Sequence, residues 1–174
     1  YYSTNMSPSV TKFHVVGAIT ASEVTASLSD INDDWESKDV TFPVLPELKT
    51  PENSQVYFYN VPGAKQSVLR FGYPALAATD TDYYPATIMN YRLGGGGFAS
   101  QLTQQLREGK GYTYGVRSGF SGSSMKGTFT IGSGVRSNIT FEAASLVKDI
   151  LNDFGKNYTE NDLEITKGFM IKSN

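Results

Sequence analysis

Four consecutive glycines, Gly94 to Gly97, interrupt the segment YRLGGGGFASQL and constrain the fold more than any other feature of this chain. Glycine has no side chain to pack and loses the most backbone entropy on ordering, so such a run cannot sit inside a helix without cost. The residues on either side carry helical patterns. The run therefore ends one helix and opens another, at a place where backbone must turn sharply or approach something closely. The second helix is predicted from about Phe98 to Arg107, with Leu102 and Leu106 on its inner face. Its end, LREGKGYTYG, places Arg107 seven positions before Tyr114.

Composition bounds what such a chain can be. A length of 174 residues is a typical single-domain size, and 39% hydrophobic with 13% aromatic residues can fill a core. A net charge of −2 supplies no basic surface for releasing counterions from phosphates, which argues against a nucleic-acid partner. The absence of cysteine excludes disulfides and thiolate metal sites. No apolar run is long enough to span a bilayer. The chain starts at Tyr1-Tyr2 and stops at Lys172-Ser173-Asn174 within a helical pattern, as expected of a piece of a longer protein.

The remaining segments predict a mixture of helices and strands. Lys12 to Gly17 reads as a short apolar strand, and Thr20 with Glu23 forms a capping box opening a helix whose buried face carries Val24, Leu28, Ile31 and Trp35. Residues 36–54 hold Pro43, Pro46 and Pro51 and read as an extended connection within one domain spanning 1–174. Val56 to Asn60 and Ser67 to Tyr73 read as largely buried strands around a turn at Val61-Pro62-Gly63. Asp80 or Thr81 caps a helix running to about Leu93. Tyr112 to Ser121 and Lys126 to Val135 alternate as an antiparallel hairpin. Asn138 caps a helix with Ile139, Ala143, Leu146, Ile150 and Phe154 on one face and Gly155 at its end, and Thr159 with Asp162 opens a last helix. A strong hairpin with short-linked strands and helices of this kind predicts an α+β fold, a largely antiparallel sheet covered by helices on one face.

The chemistry of the chain is notable for what it omits. A catalytic zinc site needs three protein ligands and an open position, yet the only histidine, His14, lies in an apolar run and reads as a core residue or a hydrogen-bonding spacer. A serine triad would need His14 as its base and has no G-x-S-x-G elbow. The glycine run follows a helix rather than a strand, and Lys110 is followed by Gly111, so the phosphate-loop and dinucleotide patterns both fail. Binding chemistry remains. The arginine fork and the tyrosine hydroxyl can together grip a peptide backbone. Equally, Arg107 can pair with a surface carboxylate at the helix end and Tyr114 can be a cross-strand aromatic. Gly94, Gly95, Gly96 and Gly97 are either a substrate loop or a plain change of direction between helices.

A resemblance bears on these alternatives. KFHVVGAIT, VPGAKQSVLRFGYPAL, DYYPATIMNYRLGGGGFASQL and LREGKGYTYGVRSGF, in this order and over most of the chain, resemble the second, non-zinc-binding domain of the pitrilysin or insulinase type zinc peptidases, which include mitochondrial processing peptidase. The resemblance implies a sheet with packed helices, facing a zinc-binding domain so that the two enclose a peptide chamber. It implies that Arg107 and Tyr114 project toward the active site of that other domain, holding substrate and stabilising the oxyanion of amide hydrolysis. It implies a substrate role for the glycine loop. The zinc motif H-x-x-E-H of the family is absent here, so zinc is expected in a preceding domain or a partner subunit, and the chain alone should cleave nothing. The expected function is substrate binding within a zinc-dependent metalloendopeptidase acting on extended or unfolded polypeptide. The alternatives are a non-catalytic partner subunit or a structural or peptide-binding module without proteolysis. Both homodimeric and heterodimeric assemblies are compatible with the resemblance.

Overall fold

The computed structural model describes residues 1–44, 46 and 49–172. It divides into two compact units, Tyr1–Glu47 and Leu48–Asn174.

The first unit is built of short elements. Helix α1, Tyr2–Asn5, is followed by a 3-10 turn at Pro8–Val10. Ser7 is fully buried, its hydroxyl donating to the Lys38 carbonyl at 2.7 Å and accepting from the Lys38 N–H at 2.9 Å. Helix α2, Ala21–Ser27, opens with the expected reciprocal box, in which Thr20 N–H donates to Glu23 Oε2 and Glu23 N–H to Thr20 Oγ1. A break at Leu28 separates it from α3, Ser29–Asp34. The apolar stripe of these helices is only half-buried, with Ile31 exposed, although Trp35 stacks on Tyr2. Residues 12–17 are not a strand, contrary to the pattern, and His14 is exposed rather than a core residue. A strand exists only through a ladder to a neighbour, and no described residue pairs with this segment.

The second unit holds one three-stranded antiparallel sheet in the order β1-β3-β2, where β1 is Gln66–Ala77, β2 Thr113–Ser121 and β3 Lys126–Arg136. The hairpin β2-β3 forms as its alternation predicts, and β1 is longer than its most apolar stretch. Residues 56–60 carry no ladder and are exposed, another departure from the pattern, because no described strand lies beside them. Helices α4, Tyr83–Asn90, α6, Thr140–Asn157, and α7, Glu160–Lys172, accompany the sheet. Phe129, Ile131 and Val116 point from the sheet into a core shared with Leu93, Leu102, Leu106, Val147, Ile150 and Phe154. Helices thus cover one sheet face and leave the other open, as the pattern predicts.

Helix boundaries differ in instructive ways. Neither Asp80 nor Thr81 caps α4, since Asp80 instead uses Oδ2 to accept the Ala77 N–H at 2.8 Å and so closes the preceding turn. Asn138 falls in a 3-10 turn, Ser137–Ile139, and α6 begins only at Thr140. That helix runs through Gly155 to Asn157, and Val147 rather than Ile139 joins its buried face. Thr159 and Asp162 do open α7, exchanging hydrogen bonds of 3.0 and 3.2 Å between each backbone N–H and the other's side chain.

Candidate functional site

The glycine-rich turn grows out of α4. After Asn90 the helix widens into a π-helical turn, Tyr91–Gly95, closed by Gly96 N–H donating to the Tyr91 carbonyl at 2.8 Å. Close approach explains the first glycine. A Cβ at Gly94 would collide with the Ser118 hydroxyl and lie 2.7 Å from Leu102 Cδ1, so glycine lets this turn press directly on β2 and the next helix. Gly97 answers to conformation, its φ of +58° being a left-handed value that other residues adopt at a cost, with open space around it. At Gly95 and Gly96 a Cβ would crowd Asn90 and Tyr91, respectively. Packing and conformation therefore account for the length of the run.

Polar contacts pin the turn on both sides. Asn90 is buried, donating to the Ser118 carbonyl at 3.1 Å and accepting from the Ser118 hydroxyl at 2.5 Å. Arg92 donates through Nη1 to the Ala99 carbonyl at 2.7 Å and through Nε to Asp162 Oδ1 at 2.8 Å. Asp162 is held below the usual carboxylate range, chiefly by the Thr159 hydroxyl and backbone N–H, with Arg92 adding to the effect. Ser100 then caps helix α5, Gln101–Thr103, which continues as a π-helical stretch, Gln104–Gly109. The cap is a buried Ser100 Oγ that accepts from Thr103 N–H at 3.4 Å and donates to the Gly97 carbonyl at 2.7 Å. Leu102 and Leu106 are fully buried, as their spacing predicts.

Arg107 leaves the last turn of this helix near its surface. Its guanidinium lies 4.5 Å from the centroid of the Phe98 ring, and Nε is 3.3 Å from Glu108 Oε1. Phe98 thus joins the site, a residue that sequence reasoning did not single out because nine positions along one continuous helix would set it and Arg107 on opposite faces about 13 Å apart, whereas the break at Ser100 lets them meet. Backbone bonds from Gly111 to Arg107 and from Tyr112 to Leu106 close the helix, with Gly111 at φ +60°. The chain then enters β2 through a bulge. Thr113 pairs with Val135 and Val116 with Ser133, leaving Tyr114 and Gly115 outside the ladder. A bulge re-aims side chains. Tyr114 is 90% exposed and makes no ring contact among the described residues, so it is not a cross-strand aromatic. The turn and the two side chains lie along one continuous segment, but no hydrogen bond joins Arg107 to Tyr114, and the partners of Arg107 are Phe98 and Glu108.

The donor set for a metal is poor. One histidine, no cysteine and scattered carboxylates give no group of three metal-ligating side chains among the described residues, so these residues do not fit a zinc ion. No described helix is long and apolar enough to cross a membrane.

An antiparallel sheet with helices on one face, and a glycine turn followed along the chain by a half-buried arginine and an exposed tyrosine, define an α+β domain with no cluster of metal-ligating side chains among the described residues. Comparison with known proteins gives the family: the chain belongs to the peptidase M16 inactive-domain family, whose model matches residues 1–169. A crystal structure of a peptidase M16 inactive domain from Pseudomonas fluorescens superposes with a TM-score of 0.78 at 26% identity, covering 91% of this chain and 38% of that one. A protease from Helicobacter pylori shares the fold with the same TM-score at 19% identity, covering 91% of this chain and 39% of its own. An uncharacterized zinc protease of Streptomyces coelicolor is 31% identical over 98 residues, which are 56% of this chain and 21% of that protein. The chain therefore spans well under half the length of these relatives.

Proposed function

We propose that this chain is a substrate-binding part of a zinc-dependent endopeptidase whose metal and general base lie in another domain or subunit. In this reading Arg107 and Tyr114 present hydrogen-bond donors to an extended peptide and to the oxyanion that develops on its scissile carbonyl, while the turn at Gly94–Gly97 borders the substrate path. The observation that carries the reading is the bulge that removes Tyr114 from the β2-β3 ladder and leaves its hydroxyl and ring face free beside the helix end bearing Arg107. Family membership supports the same assignment.

The test is cleavage of an internally quenched peptide by the full-length protein. Tyr114→Phe and Arg107→Ala should each lower kcat/KM by about 100-fold, the lower edge of the range for one lost oxyanion donor, while melting temperature stays near that of wild type. Turnover unchanged in both variants would remove these residues from the site. Peptide binding weakened by the same substitutions in a protein that cleaves nothing would instead identify a peptide-binding module of the same fold.

A further inference from the structure

The open face of the sheet carries a charge pattern that the site above does not use. The three strands contain Arg70, Arg117, Lys126 and Arg136 and no aspartate or glutamate, in a chain whose net charge is −2. Alternation sets Phe71, Ile131 and Ser118 toward the helices, and so turns Arg70, Gly132 and Arg117 toward the open side. The register is specific. Arg70 of β1 and Arg117 of β2 both stand opposite Gly132 of the central strand, so the two arginines flank one glycine across the sheet.

Adjacent strands run about 4.8 Å apart, which separates the two arginine Cα atoms by about 10 Å, with only a hydrogen atom of glycine rising between them. Arg70 and Arg117 are both exposed, and neither forms an ion pair or hydrogen bond with any described residue. A Cβ at Gly132 would collide with the Arg70 Nη1 atom and lie 3.1 Å from its Cζ, so the Arg70 fork lies directly over the glycine. Together these residues line a shallow trough of about 640 Å³, floored further along by Gly115, Gly119 and Gly134. Two guanidinium forks with nothing opposite to neutralise them, with only Gly132 between them and Val68 and Thr130 to either side, are matched by a planar anion that can accept hydrogen bonds from both.

We propose that Arg70 and Arg117 form a carboxylate subsite on the open face of the sheet, which binds an acidic side chain or the C-terminal carboxylate of an extended polypeptide. The inference rests on the peptide-binding reading above and adds to it a preference for a class of substrate. The glycine floor lets the peptide main chain lie close to the strands, and the arginine pair fixes its register by one charged group.

Fluorescence anisotropy of the full-length protein with four labelled peptides of one sequence tests this, the peptides carrying Glu or Gln at one position and ending in a free acid or an amide. The expected result is binding about tenfold tighter for a peptide with a carboxylate than for its neutral twin, with the Glu/Gln and acid/amide arms identifying which carboxylate is read. Arg70→Gln with Arg117→Gln should abolish the difference between each carboxylate peptide and its neutral twin. Gly132→Ala, which keeps both charges but displaces the Arg70 fork, should reduce it. Equal binding of all four peptides to the wild type, or a carboxylate preference that survives the double substitution, overturns the subsite and leaves the peptide-binding reading standing. Failure of every peptide to bind overturns both.

Discussion

Asp162 accepts a 2.8 Å hydrogen bond from Arg92, and by that contact the first turn of α7 holds the guanidinium that donates onward to the Ala99 carbonyl. The pair is sheltered, with 33% and 15% of the two side chains exposed, so it is a stronger tie than an ordinary surface pair. Its position shows how the glycine run is tied down: Arg92 holds it on one side and the buried Asn90–Ser118 pair on the other.

Replacing Arg92 with methionine should therefore cost about 1–3 kcal/mol, the range for removing one partner of a charge-assisted hydrogen bond. Thermal denaturation checks the cost, and hydrogen exchange at residues 97–103 checks its location, where protection should fall first. An unchanged melting temperature would show that Arg92 does not brace the turn.

Acid should weaken the same tie. Asp162 has a folded-state pKa below its ordinary value, so it contributes stability that is fully present above the unfolded-state pKa of about 4 and is lost as pH falls from there through the folded value. The stability gap between wild type and Asp162→Asn should accordingly be constant from neutral pH down to about 5 and shrink below about 4. Urea denaturation across that range measures it, and a gap independent of pH would assign the stabilisation to groups other than the carboxylate.

Gly94 and Gly97 should respond unequally to substitution. Alanine at 94 drives a Cβ into Ser118 and Leu102, an overpacking expected to cost about 1–3 kcal/mol or more. At 97 nothing lies within 4 Å, and asparagine, which tolerates a left-handed backbone, should cost less than about 1 kcal/mol. Denaturant midpoints of the two variants decide the matter, and a Gly94→Ala protein as stable as wild type would remove close packing as the reason for that glycine.

Much of the fold is legible in the chain because alternation and burial coincide where strands have partners. Phe129, Ile131 and Val135 alternate in sequence and are buried in β3, the central strand. The same pattern at 12–17 and 56–60 does not become strand, since periodicity states which face is apolar and leaves unstated whether a neighbouring strand is present to bond it. The helix expected from Phe98 begins only at Gln101, because the 3-10 turn Gly97–Ala99 occupies its expected first turn and Ser100 supplies the cap. In the candidate site, Arg107 and Tyr114 were legible as a spacing. The bulge that frees Tyr114 was not, because it follows from the register of β2 against β3, and register belongs to the pair of strands rather than to either one.

Phe98 supplies the last test, since its ring sits under the guanidinium of Arg107 at 4.5 Å while its own surface remains 67% exposed. An exposed cation–π contact is worth about 0.5–1 kcal/mol. A double-mutant cycle of Arg107→Ala and Phe98→Leu, read by urea denaturation, should return a coupling energy of that size, whereas Arg107→Ala with Tyr114→Phe should be additive in the free protein because no contact joins those two side chains. If the first cycle shows coupling, Phe98 is a positioning residue, and Phe98→Leu should change KM for a peptide more than it changes the melting temperature. Zero coupling in the first cycle would mean that Arg107 is not parked on the ring in solution, and that Phe98 has no part in aiming it at a peptide.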